Sequence, residues 1–288
     1  MKWRGRRGSR NIEDRRRAGG RGMAATGGIG GFGLIAILLI GWFLGIDVTP
    51  LLTGQSGGDP YAVPAGQVEL TQADQEAGQF VSVTLADTEE IWADIFSRQL
   101  GESYDPVTLV LFKGVTRSPC GGASGATGPF YCPLDEKAYL DTAFFTTMSR
   151  RLGARGDFAA AYVVAHEVAH HVQNELGILG QANQIRAQSS EAQSNAISVR
   201  IELQADCLSG VWAREAQARF GSLERGDIEE AINAARQIGD DTLQRNAGQV
   251  PRPHTFTHGT SEQRVRWFLT GFESGDIRQC DTFGTDRL

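Results

Sequence analysis

The sequence predicts an α+β fold: a mostly helical domain with a small sheet, preceded by one transmembrane helix. Three observations carry this. Apolar residues recur at helical spacing through most of the second half of the chain. Short buried-strand patterns are confined to the region before residue 141. A charge-free run covers residues 22–46, immediately after a basic segment.

The basic segment comes first. Residues 1–21 hold nine Lys or Arg against Glu13 and Asp14, a net +7 in a chain whose total is −6. The remainder is therefore strongly acidic. An acidic body is a poor partner for a phosphate backbone, so no nucleic acid is expected. A basic tail ahead of an apolar run reads as a topology signal.

Residues 1–22 are expected to be a cytoplasmic tail and residues 23–46 a retained transmembrane helix. At a rise of about 1.5 Å per residue, about 20 residues cross the hydrocarbon core. Trp42 suits the far interface. A cleaved signal peptide is the weaker reading, because the run is long and no small-residue cleavage site follows closely. The expected location is a cell membrane, single-pass, with the lipid bilayer contacted through 23–46 and everything after Asp47 outside the cytoplasm. Residues 47–66, rich in Gly and Pro, read as a flexible linker, and 67–288 as the folded domain.

Within that domain, helices are expected over 87–100, 143–152, 157–176, 182–220, 227–238 and 261–272. Strands are expected over 108–112 and 138–140, the latter a candidate to pair with an extended substrate. Residues 117–133 read as a Gly-rich loop. Cys120 and Cys132 bracket that loop as a natural staple, leaving Cys207 with Cys280. Three pairings of four cysteines are open in principle, and any of them needs an oxidising compartment.

The chemistry concentrates in His166-Glu167-Val-Ala-His170. Residues four apart on a helix differ by about 40° in azimuth, so His166 and His170 face one way and can bind one Zn²⁺. Glu167 stands beside the first ligand, where it can take a proton from a water. His171 is turned about 100° away and is read as a non-ligand. A catalytic zinc needs a third protein ligand. Glu202 supplies it, with Asp206 one turn on as acceptor for a ligating imidazole's N–H. Glu191, in a polar stretch, is the poorer candidate, and Cys207 faces away from Asp206. His254 and His258 are candidates to stabilise an oxyanion, with His258 preferred.

HExxH followed by a helical Glu-x-x-x-Asp is the pattern of gluzincin-type zinc peptidases. The chain more closely resembles the bacterial neutral zinc metallopeptidase family. The resemblance lies in MKWRGRRGSRNIEDRRR, IDVTPLLTG, AHEVAHHVQ, ELQADCLSGVWA and FTHGTSEQRVRWF, from the first residues to Cys280. It implies a membrane-anchored, zincin-like peptidase with one Zn²⁺ per chain and a peptide or protein substrate. It implies His166, His170 and Glu202 as metal ligands and Glu167 as general base. His258 and Arg264 resemble a His-Pro…Arg element of other membrane-associated gluzincins, with Gly259 in place of the Pro. The alternative function is a catalytically silent, membrane-tethered binding protein that keeps zinc for structure. Oligomeric state is not written in the sequence.

Overall fold

The computed structural model describes residues 1–17, 69–124 and 128–288. The expected transmembrane helix at 23–46 and linker at 47–66 lie outside these residues. Among the described residues, no helix is long and apolar enough to cross a membrane.

The chain begins with β1 (Ile12–Asp14) and resumes with α1 (Gln72–Ile95), which a single π turn, Phe96–Leu100, extends. β2 (Thr108–Phe112), the hairpin β3 (Val115–Ser118) and β4 (Gly121–Ser124), β5 (Phe130–Cys132) and β6 (Lys137–Asp141) follow. The rest is helical: α2 (Ala143–Arg150), α3 (Asp157–Glu175), α4 (Ile178–Arg186), α5 (Glu191–Phe220), α6 (Asp227–Gln237), α7 (Asp240–Asn246) and α8 (Ser261–Ser274). This is the α+β, mostly helical architecture that the sequence predicts.

The main sheet has the order β1-β2-β6-β5, with β1, β2 and β6 parallel and β5 antiparallel to β6. β2 is apolar after Thr108, β6 holds Ala138, Tyr139 and Leu140 between Lys137 and Asp141, and both strands are buried but for their first residue, as suits inner strands. Because β6 has a partner on each side, it cannot accept an extended substrate, contrary to the expectation for 138–140. Among the described residues the sheet's two edge strands are β1 and β5.

α3 buries fifteen of its 19 residues. Its run of Ala and Val lets α1, α5 and α6 pack closely around it, and the rigidity this gives is what a metal-binding helix needs. α5 and α8 approach closely enough that a Cβ at Gly210 would strike the Phe268 carbonyl, and one at Gly271 the Cys207 carbonyl. Only glycine fits at these two positions. The disulfide Cys207–Cys280 closes the same junction, and Cys120–Cys132 ties the β3–β4 hairpin to β5. Both pairings are those expected.

Two helix boundaries depart from expectation for local reasons, and the amino-terminal segment for a long-range one. The helix expected over 87–100 begins at Gln72, where Thr71 and Asp74 form a capping box. The single helix expected over 182–220 is two, because Ser190 and Gln193 form a second capping box and start α5 anew. Residues 1–17 of the expected basic tail are not a tail: Ile12–Asp14 pair in register with Leu109–Leu111, and Met1 and Trp3 are buried.

Candidate metal centre

α3 and α5 cross so that one face of each meets the other. α3 contributes His166 and His170 from consecutive turns, and α5 contributes Glu202. His166 Nε2 lies 3.0 Å from Glu202 Oε2, and His170 Nε2 lies 3.5 Å from Glu202 Oε1. The three donor atoms fall within 4.8 Å of one another. Bonds of about 2.0–2.1 Å in a tetrahedron separate ligand atoms by about 3.3 Å, so two imidazoles and a carboxylate fit Zn²⁺ in spacing and kind.

Electrostatics agree. Burial opposes a charge on His166, but the carboxylates of Asp206 and Glu202 outweigh it and raise its pKa. Burial would also raise the pKa of Glu202, yet His170 and His166 hold it well below the usual carboxylate range. Burial keeps His170 neutral, as a ligating imidazole must be. Positive charge is thus favoured beside the Glu202 carboxylate, on the Nε2 side of His166.

The supporting residues are as informative as the ligands. His166 Nδ1 lies 3.0 Å from Asp206 Oδ1, out of line for a well-formed hydrogen bond. Asp206 is fully buried. It accepts two hydrogen bonds of 2.9 Å from the Arg264 guanidinium and one of 2.5 Å from the Tyr162 hydroxyl. The bidentate pair is what makes a buried carboxylate tolerable. Asp206 therefore neutralises Arg264 while its carboxylate stands beside His166 Nδ1.

His170 Nδ1 donates to Gln173 Oε1 at 2.8 Å, which leaves Nε2 free for a metal. Gln173 is itself held by donating to the Ile201 carbonyl and to Gln204 Oε1. Gln204 in turn donates to the Cys280 carbonyl at 3.0 Å. Gln173 stands three residues after His170, on the same helix face, a signal the sequence carries. Replacing it with Leu should weaken zinc affinity about 10–100-fold while the fold persists, as for other losses behind a ligand. Competition against a chromophoric chelator, with circular dichroism as the fold control, measures this.

A cleft of about 510 Å³ opens over these residues, lined by His166, Glu167, His170, Glu202, His258 and Arg264 on one side and by Phe130 and Tyr131 of the β5 edge on the other. Burial pushes the Glu167 carboxyl up to about 7, with His166 pulling it down and Glu202 adding to the rise. His258 reaches the cleft from the loop before α8. Its Nδ1 lies 3.2 Å from Asp240 Oδ1, while Asp240 Oδ2 accepts the backbone N–H groups of Thr257, His258 and Gly259. Burial would lower the His258 pKa, and Asp240 raises it. Asp240 was not singled out in the sequence, since its partner lies eighteen residues away.

The remaining candidates sit elsewhere. His254 is exposed and does not line the cleft. The His171 ring is held between the Tyr131 hydroxyl and the Asp105 carbonyl, at 3.1 and 2.8 Å, and acts as a core residue. Cys207 is committed to its disulfide. Of a second carboxylate group, Asp157, Asp227 and Glu230, two members bind the Met1 amine at 2.8 and 3.3 Å.

Comparison with known proteins points to a zinc peptidase family. A family described as "Putative neutral zinc metallopeptidase" matches residues 1–283. The chain is 46% identical over 290 aligned positions to the uncharacterized protein YpfJ of Escherichia coli, covering 99% of each. It is 38% identical over 256 positions to the uncharacterized proteins Mb2605 of Mycobacterium bovis and Rv2575 of Mycobacterium tuberculosis, covering 85% of each. No solved structure matches. With nearly its whole length matched, the chain belongs to this neutral zinc metallopeptidase family.

Proposed function

We propose that the protein is a zinc metalloendopeptidase of zincin-like architecture, with one Zn²⁺ per chain held by His166, His170 and Glu202. The observation that carries this reading is the meeting of those three donors within 4.8 Å of one another in a cleft that also holds Glu167. Zn²⁺, when bound, acidifies a water and polarises a carbonyl.

The chain's own residues supply the rest. Glu167 is placed to take a proton from the attacking water and pass it to the leaving amine, and its raised pKa suits both transfers near neutral pH. His258, aimed by Asp240, is placed to donate to the carbonyl oxygen as it gains charge. Among the described residues β5 has a strand on one side only, and its edge beside the cleft is where an extended peptide would pair. Two disulfides suit a body working outside the cytoplasm, and the charge-free run 22–46 is the segment by which it would associate with a membrane.

The test is cleavage of an unstructured protein substrate by the full chain. Activity should disappear on chelation and return with stoichiometric Zn²⁺. A chain that binds one zinc yet cleaves nothing would be the silent zinc-containing protein instead.

A further inference from the structure

Residues 1–17 touch none of the metal chemistry, yet they are built into the body as an edge strand of the main sheet. β1 lies parallel to β2, pairing Ile12 with Leu109, Glu13 with Val110 and Asp14 with Leu111. Flanking bonds from Leu109 N to the Asn11 carbonyl and from Arg15 N to the Leu111 carbonyl, 2.8 and 2.7 Å, lengthen the ladder. Without β1, the apolar edge of β2 would be open, a known liability. The Met1 and Trp3 side chains are buried, Trp3 edge-on against Phe80 at 5.5 Å.

Two of this segment's charges, those of Arg6 and Arg16, are built into the fold. Arg6 pairs at 2.5 Å with Asp87, itself buried. Arg16 is buried, pairs with Asp14 at 2.6 Å and donates to the Asp74 carbonyl. Gly78 of α1 leaves the room its guanidinium occupies, since a Cβ there would collide with it. Arg15 and Lys137 both reach Glu13, and Arg4 and Arg7 lie 3.6 and 4.0 Å from Glu76 and Glu90. Arg6 and Arg16 are thus committed to the packed body, while Arg4 and Arg7 stay exposed at its rim.

Arg16 and the first turns of α1 are in contact, so the chain leaves the body and re-enters it at one place. A single membrane crossing anywhere in 18–68 would put residues 1–17 and 69–288 in different compartments. It would break every contact above and strand the buried Asp87 without its cation.

We propose that residues 1–17 are a constitutive strand of the body, and that the amino terminus and residues 69–288 lie on the same side of any membrane the intervening chain meets. This stands on packing alone and is independent of the peptidase reading.

The test uses the full chain in bacterial cells. Lys2→Cys and Glu229→Cys, both at exposed positions, are labelled separately with a membrane-impermeant maleimide in intact spheroplasts and after lysis. The two sites should behave alike, both labelled or both protected until lysis. Labelling of one in intact spheroplasts and of the other only after lysis would overturn the proposal. A second variant guards against a labelling artefact. A Cβ at Gly8 would stand 3.4 Å from the Ser82 Cβ, near disulfide range. Gly8→Cys combined with Ser82→Cys should cross-link in most molecules when membranes are treated with a mild oxidant. Failure to cross-link would mean that the segment is not docked and would also overturn it.

Discussion

Glu167→Gln should leave the zinc in place and slow peptide hydrolysis by about 10²–10⁴-fold, the usual worth of a positioned general base. Glu167 is 8% exposed, lines the cleft and is not one of the three donors, so its loss removes a proton carrier and no ligand. The amide keeps the size and can still hydrogen-bond, which separates proton transfer from shape. Metal content and turnover of wild type and variant, measured on the same preparations, check this. Undiminished hydrolysis by a zinc-loaded variant would remove Glu167 from the chemistry.

Asp206→Leu should be the most damaging single change at the site. It leaves Arg264, 2% exposed, without its counter-ion, and breaking one side of a buried ion pair costs about 3–5 kcal/mol. It also leaves the Tyr162 hydroxyl and the His166 Nδ1 without their carboxylate. Asp206→Asn keeps the shape but not the charge, so it too should lower stability. That exceeds what the helix spacing of Glu202 and Asp206 alone suggests, because the spacing does not show Arg264. Denaturant unfolding of the three proteins in the presence of a chelator isolates this stability effect from metal binding. If Asp206→Leu unfolds at the wild-type midpoint, the buried pair is not holding α5 to α8.

What could be read in the sequence follows from what is local. HExxH and Glu-x-x-x-Asp are each contained in one helix, so one turn of geometry places their side chains. Cys120 with Cys132 was legible because the loop between them is short. The partners missed are those that sequence distance hides. Arg264 reaches Asp206 across 58 residues, and Asp240 reaches His258 from the start of a seven-residue helix with little apolar periodicity to announce it. β1 was missed for the same reason: three residues inside a basic run carry no strand pattern until β2 is beside them. The small-residue faces of α5 and α8 follow only from their crossing, which no local pattern encodes.

Zinc affinity of the full chain and of Glu202→Ala tests the metal centre most directly. Wild type should bind one Zn²⁺ with X-ray absorption showing two imidazoles and a carboxylate oxygen. Glu202→Ala should bind at least about 100-fold more weakly, since a three-ligand site loses one leg. If the variant binds zinc as tightly as wild type with unchanged coordination, the third ligand is not on α5, and the centre formed by His166, His170 and Glu202 is not the one the protein uses.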